Sequence, residues 1–527
     1  MLLLAAVRLG FAADEFGDYT YYYGDIHVHT GVSGDAGSSD IRCKGDCGAY
    51  ADTFQSGRDN GLDFMAITDH INGSTTVASA SGMADDFALA ASELDEAGGF
   101  ITIPGTEVWA QVAGVHLGHR TLLMFADDAT LSGITLTDLQ PVGSSAVDMG
   151  SCAAMETWAS NLEASWGSIV LLPHHPAVTR PMWTDWTCYE SAYEPIVEIY
   201  SEHGNSMGDG LGYDDVWSGE HAGSTVLDAI DPTGLALQMG FVAGTDKHNS
   251  RGGDVCSLDT ELTSHPYGGG LTVVVLPTGE TFNRAAIYEA MMDHRTLATS
   301  GPMMPVELRF ESGGAALADL GESVGLPTAQ DLDVFAAVPG DLAAYVTEVV
   351  AVTPTTRTTM DDLGGGEWST TIDTTEATGW VYVQVEIDGD LWYGTGGCDD
   401  GGSDTLEYVW TSPGYITEVA GDLDVDGLTV ADGDCDDGDD TIYVGAEEIG
   451  GDGIDQDCDG ADGLVEGIFD TGAVTLDPDT GTVAEIVATA PADPAEAPAV
   501  APTVKKGVKG KKIAAGIRSK SWWMRRR

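Results

Sequence analysis

YTYYYGDIHVHT, residues 19–30, begins as a run of β-forming aromatic residues and ends on two histidines one position apart. Six further runs repeat that design: LDFMAITDH (62–70), GFITIPGTE (99–107), HRTLLMF (119–125), SIVLLPHH (168–175), PIVEIYSEHG (195–204) and LQMGFVAGTDKH (237–248). Each is short, continuously apolar and bordered by polar or metal-ligand residues, with a longer helix-permitting stretch between most neighbours. That alternation reads as α/β with buried parallel strands. Seven such strands predict a distorted TIM-like barrel, whose reactive groups gather at the carboxyl ends of the strands. TFNRAAIYEAMMDHRT (281–296) reads as an amphipathic helix with Ala286, Ala290 and Met291 on its apolar face, and SGPMMP then ends a domain spanning 19–302.

Outward from that domain the texture changes. Residues 303–417 alternate in the manner of antiparallel strands, as in VELRFES and WVYVQVEI, and predict a small β-sandwich. Residues 418–463 hold 17 acidic residues and form an acidic module of the calcium-binding type. Residues 464–504, rich in Ala, Pro and Thr, read as a disordered linker, and 505–527 form a basic tail with 10 of the chain's 22 Lys and Arg. Residues 1–13 resemble a signal peptide, with a short apolar run ending in small residues.

The 527 residues carry a net charge of −63, which repels nucleic-acid phosphates and anionic membranes. No nucleic-acid partner is expected, and no run is long and apolar enough to span a membrane. Eight cysteines, none in a paired CxxC zinc knuckle, point to disulfides. With the leader-like start they predict a secreted, periplasmic or cell-surface bacterial protein.

The chemistry lies in what ends the strands. His27 and His29 alternate on one strand, so both imidazoles share a face and can reach one metal. An isolated HxH pair arises often by chance, but other donors follow it. Asp35 lies in a Gly-rich loop, Asp69 and His70 end the second run, and Glu107 ends the third. His116 and His119 flank the fourth, His174 and His175 end the fifth, and Asp246 and His248 form a second alternating pair. All are hard or borderline ligands. Asp69 has an alternative reading as the group that orients His70.

HVHT, ITDH, GTE, PHHP and GTDKHN, in this order and at strand ends, resemble the PHP (polymerase and histidinol phosphatase) superfamily of metallophosphoesterases over residues 20–302. VEIYSEHG, AIYEAMMDHRTLATSG and VWTSPGYI resemble its exported, carbaryl-hydrolase-type (CehA/McbA-like) branch. The resemblance implies that His27, His29, Glu107 and Asp246 hold one metal. Glu107 then bridges to a second metal held by His119, with His116 as the alternative, and by one of His174 or His175. Asp35, His70 and His248 complete a third site. Two or three divalent cations (Zn, Mn, Fe or Mg) are implied. Such a centre makes hydroxide available near neutral pH, so no side-chain nucleophile is needed. The implied activity is hydrolysis of a small, anionic phosphate ester or a related ester or carbamate. Position suggests His203, Lys247, Arg251 and Arg295 as groups that orient it. For Arg295, capping of a helix end is an equal alternative.

Two other constellations compete for a role. Gly204, Ser206 and Gly208 spell the GxSxG of a serine-hydrolase elbow, but the Gly- and acid-rich DGLGYDD that follows is not a helix. In the acidic module Asp422, Asp424 and Asp426, and again Asp455, Asp457 and Asp459, make DxDxDG runs whose oxygens suit Ca²⁺. Without the bidentate Glu of an EF-hand loop, they resemble the acidic Asp/Cys-rich repeats appended to exported proteins of myxobacteria-like organisms, with Cys435 and Cys458 as a staple. A calcium-dependent surface or adhesion protein with an inactive barrel is the alternative function.

Overall fold

The computed structural model describes residues 13–30, 50–70, 99–112, 115–127, 130, 147–148, 151–178, 183–208, 220–256, 268–327, 331–373, 379–393, 406–419, 435, 441–446, 449 and 454–458. The leader-like segment up to residue 12, Asp35, Asp422, Asp424, Asp426, Asp459, the linker 464–504 and the basic tail lie outside the described residues. All described residues except Ile449 and Ile454 belong to one compact unit.

The unit is mixed α/β, rich in strands and poor in helices. Its first twelve strands are β1 (Asp14–Phe16), β2 (Tyr19–Asp25), β3 (Phe64–Ile67), β4 (Ile101–Val112), β5 (Val115–Met124), β6 (Val147–Asp148), β7 (Ile169–His174), β8 (Ile196–Ser201), β9 (Gly204–Asn205), β10 (Gly240–Ala243), β11 (Leu271–Pro277) and β12 (Thr296–Thr299). Every side chain of β3, β8, β10 and β12 is buried, as continuous apolar runs demand. Two helices are set by their caps. Ser151 accepts the Ala154 N–H (3.2 Å) to start Cys152–Trp166, and Asn283 accepts the Ala286 N–H (3.0 Å) to start Arg284–Met292. The second buries Ala286, Ala290 and Met291 within the predicted span.

The expected all-parallel arrangement gives way to a mixed one. β2, β3 and β4 are parallel neighbours, but β4 pairs antiparallel with β5, β5 with β7, and β11 with both β2 and β12. The departure begins after Glu107. The GFITIPGTE run continues to Val112 and turns back, with Val112 opposite Val115, so HRTLLMF runs against its neighbour. β8 and β10 pair in parallel in a separate three-stranded sheet with β9. Among the described residues no ladder joins β7 to β8 or β10 to β11, and no closed barrel forms. The seven-stranded TIM-like barrel is therefore corrected to an open, two-sheet arrangement.

The C-terminal strands are β13 (Glu307–Ser312), β14 (Ala315–Asp319), β15 (Val324–Pro327), β16 (Leu332–Ala337), β17 (Val346–Val352), β18 (Arg357–Thr359), β19 (Asp361–Gly364), β20 (Glu367–Ile372), β21 (Trp380–Asp388), β22 (Leu406–Thr411) and β23 (Gly414–Val419). β13, β14, β16, β19 and β20 form a five-stranded sheet. Its inward residues Phe310, Val334 and Trp368 share a core with Val349, Val383 and Val385 of the large sheet, and with Tyr21, Tyr23, Val273 and Val275 of β2 and β11. Two layers pack here, but one is not private to residues 303–417. β22 pairs antiparallel with β12, Leu297 opposite Thr411, so a single 15-stranded sheet runs through the 302/303 boundary.

Cys152 is bonded to Cys188 and Cys435 to Cys458. Cys256 is also disulfide-bonded, which leaves no free cysteine among the described residues. No described helix is long and apolar enough to cross a membrane.

Candidate metal centre

The ends of β2, β3, β7 and β10 and the middles of β4 and β5 meet at one buried cluster. Antiparallel pairing brings β5 into it. His119, midway along β5, stands opposite His174 at the end of β7, so a strand running the other way still delivers its histidine to the same edge. His27 and His29 follow β2. Backbone bonds from Asp246 N to His27 O (2.8 Å) and from His29 N to Lys247 O (2.9 Å) lock this segment against the one after β10. His70 and Glu107 are paired by a parallel bridge.

Four donor atoms surround one point. His29 Nε2 lies 3.2 Å from His27 Nε2, 3.2 Å from Glu107 Oε2 and 3.1 Å from Asp246 Oδ1. His27 Nε2 is 3.3 Å from Glu107 Oε2 and 3.2 Å from Asp246 Oδ1. Five of the six edges of a tetrahedron are thus 3.1–3.3 Å. A regular tetrahedron with ~2.0 Å metal–ligand bonds has edges of about 3.3 Å. Two imidazole nitrogens facing each other at that range gain nothing from mutual hydrogen bonding beyond one shared proton, whereas a cation satisfies all four donors. The donor set therefore fits a divalent metal.

Glu107 extends the cluster. Its Oε1 is 2.6 Å from His119 Nδ1 and 2.7 Å from His174 Nε2, and Glu107, His119, His174 and His175 form a second group able to hold a metal. His29, His70 and His248 form a third, with His70 Nε2 3.2 Å from Glu107 Oε2. All these residues are at most 5 % exposed. His175 (φ 32°) and Asp246 (φ 54°) both adopt the left-handed region, a backbone cost carried by two donors of the cluster.

The electrostatics suit cation binding. Burial drives His119 and His175 down and His174 to about 3, so their ring nitrogens keep free lone pairs. Burial opposes ionisation of Glu107 and Asp246 as well, but surrounding imidazoles overcome it and hold both carboxylates well below the usual range. At His27 the penalty of burial is outweighed by Asp246 and Glu198, which hold its imidazole well above the ordinary value. The lowered imidazoles and ionised carboxylates are in the states that metal ligation requires, whereas His27 would have to release the proton its carboxylate neighbours hold there.

Around these donors lie groups that hold them. Asp69 accepts from Thr30 N (2.6 Å) and Thr30 Oγ1 (2.7 Å), one bond to each carboxylate oxygen, and joins none of the metal groups among the described residues. His203 Nε2 is 2.9 Å from Asp246 Oδ2, and Lys247 Nζ is 3.1 Å from Glu202 Oε2. Arg295 is not brought to the cluster. Its guanidinium donates to Val275 O (3.0 Å), and Val275 stands opposite Tyr21, near the start of β2 and so at the far end from His27. Arg251 is largely exposed. Ser206 follows the β8–β9 hairpin, not a strand-to-helix elbow. His116 lies on β5, and its side chain falls outside the described residues.

Sequence reasoning passed over two buried carboxylates. Glu198 of β8 is 2.9 Å from His27 Nδ1, and burial pushes it up to about 7 against the pull of His27. Asp25 accepts from Thr245 N (3.0 Å) and Oγ1 (2.6 Å), His27 N (3.2 Å) and Gly253 N (2.9 Å), tying the His27 segment to that of Asp246. The available signal was a lone acid inside a buried apolar run, which burial penalises unless it is paired.

The acidic module is described only in part. Cys435 and Cys458 are joined, the Cys435 N–H points at Cys458 Sγ (3.1 Å), and Tyr443 N donates to Gln456 O (2.9 Å). Residues 434–462 match the family model "Cu-binding MopE", described as a putative metal-binding motif. The chain thus carries a metal-binding motif here, of a type whose title names copper where the DxDxDG spacing suggested calcium. No curated protein matches the chain.

Proposed function

We propose that the chain is a metal-dependent hydrolase of ester bonds, of the PHP type, acting on a small anionic phosphate ester or a related ester or carbamate outside the cytoplasm. The convergence of His27 Nε2, His29 Nε2, Glu107 Oε2 and Asp246 Oδ1, with five of their six separations at 3.1–3.3 Å, carries this reading. Clustered divalent cations supply a hydroxide nucleophile near neutral pH and neutralise charge on the attacked ester.

The chain's own residues do the rest. Glu107 points one oxygen at each of two donor groups and would be shared between them if both held a cation. His203, hydrogen-bonded to the outer oxygen of Asp246, is suited to hold that carboxylate or to hand a proton to a leaving oxygen. Lys247 is tied to Glu202 and braces the segment between Asp246 and His248. The disulfide-bonded cysteines agree with export to an oxidising compartment.

The test is elemental mass spectrometry of the purified protein, with hydrolysis of p-nitrophenyl phosphate, its bis-ester and an aryl acetate measured before and after chelation. At least two cations per chain beyond those of the 434–462 motif, turnover lost with chelator and regained with metal, and unchanged turnover in Ser206→Ala are expected. Turnover that survives chelation but not Ser206→Ala would replace this reading with a serine hydrolase. Cations without turnover would favour a binding protein.

A further inference from the structure

We infer that Glu198 is a single positioning residue shared by two cation sites, its carboxylate orienting His27 in one and His174 in the other. This rests on the metal-dependent reading above.

β8 is buried along its whole length, and Val197 and Ile199 pack into one core, so Glu198 points to the opposite face, toward the cluster. Its Oε2 is 2.9 Å from His27 Nδ1. Its Oε1 is 3.8 Å from His174 Nδ1, and neither of these two atoms has a hydrogen-bond partner among the described residues. The other acceptor near His174 Nδ1 is Asp246 Oδ2 at 4.0 Å, which His203 already engages at 2.9 Å. The two imidazoles meet edge to face, centroids 4.3 Å apart at 86°. Their Nε2 atoms face opposite oxygens of Glu107, His27 at 3.3 Å from Oε2 and His174 at 2.7 Å from Oε1. Two imidazoles therefore span two carboxylates: Glu107 on the cation side, Glu198 behind. A ligating histidine needs an acceptor for its other N–H to fix tautomer and ring direction. Here one carboxylate has an oxygen for each.

Local packing keeps it in place. A Cβ on Gly244 would fall 2.6 Å from His27 Cβ and 2.8 Å from Glu198 Oε2, so the absence of a side chain at 244 lets imidazole and carboxylate meet.

Glu198→Gln distinguishes a shared role from a single one. An amide has one acceptor oxygen, and its NH₂ opposes the second imidazole N–H. In the zinc-saturated protein with ¹⁵N-labelled histidine, two downfield Nδ1–H resonances, from His27 and His174, should move in Glu198→Gln, with zinc affinity falling about 10–100-fold. Glu198→Asp, one methylene shorter, should perturb at least one of them and serves as the second variant. Circular dichroism melting shows that each variant is folded. Movement of one resonance alone, or of neither with unchanged affinity, overturns the shared role while leaving the metal-dependent reading intact. Wild-type protein whose cluster binds none of zinc, manganese, iron or magnesium overturns both.

Discussion

The central cluster and the Cys435–Cys458 motif are both built for metal, and they are assembled in opposite ways. Donors of the cluster come from His27 through His248, contributed by separate strand ends and buried to 5 % exposure or less. The motif draws on 434–462 alone, and its disulfide joins residues 23 apart. The first site exists only when the sheets have formed, so a cation bound there stabilises the whole fold. The second carries its own covalent frame. One chain thus holds a site that reports global folding and a site that depends on local closure.

The sharpest way to break this contrast is His27→Ala/His29→Ala, which removes both imidazoles of the tetrahedron. Turnover should fall about a thousandfold or more, ~4 kcal/mol of transition-state stabilisation, while elemental analysis still finds the cation of the 434–462 motif. Loss of both metal populations together would erase the distinction. The reciprocal variant, Cys435→Ser/Cys458→Ser, should cost about 3 kcal/mol of local closure for a loop of this length. Limited proteolysis should then cut within 434–462 and that motif should lose metal, with cluster cations and hydrolysis unchanged. A parallel loss of turnover would mean that the two regions are coupled.

Gly244→Ala probes the cluster's dependence on packing. The added methyl collides with His27 and Glu198, and about 2 kcal/mol of overpacking cost should appear as a lower melting temperature together with weaker cluster binding. Full metal content with an unchanged melting temperature would show that the site yields without cost.

The smallest effect concerns acid stability away from both sites. Burial holds His294 down to about 4, against the pull of Asp293 and the Pro195 carbonyl, while an unfolded histidine titrates near 6.5. Between these values the unfolded chain takes the proton first, so stability falls as pH drops from about 6.5 toward 4. His294→Asn tolerates the positive φ of 56° and removes this group. Its acid limb should be shallower by about 1 kcal/mol at pH 5.5 in denaturant titrations. Identical limbs in the two proteins would assign acid sensitivity to other groups.

How far this was legible in the sequence depended on range. The HxH of residues 27–29, the Glu at the end of GFITIPGTE and the Asp after FVAGT could be located because a polar residue ending a buried strand is a local pattern. Strand direction was not local. Nothing in HRTLLMF says that it runs antiparallel, because that follows from its pairing with β4, and so the arrangement resembled a parallel barrel. Arg295 was drawn to the site by its position after a helix, yet the ladder in which Val275 opposes Tyr21 puts it at the other end. Glu198 and Asp25 escaped because motif reading asks what closes an apolar run: Glu198 sits inside β8, and Asp25, the last residue of β2, comes before the Ile26 and HxH that close its run.

The pairing of β12 with β22 has a consequence for synthesis on the ribosome. Leu297 emerges 114 residues before its partner Thr411. At ordinary elongation rates the nascent edge waits on the order of ten seconds for its neighbour. Cleaving the gene after codon 302 would make that wait permanent, leaving an uncovered apolar strand to recruit another chain. The two halves are therefore expected to be inherited, expressed and degraded as one piece.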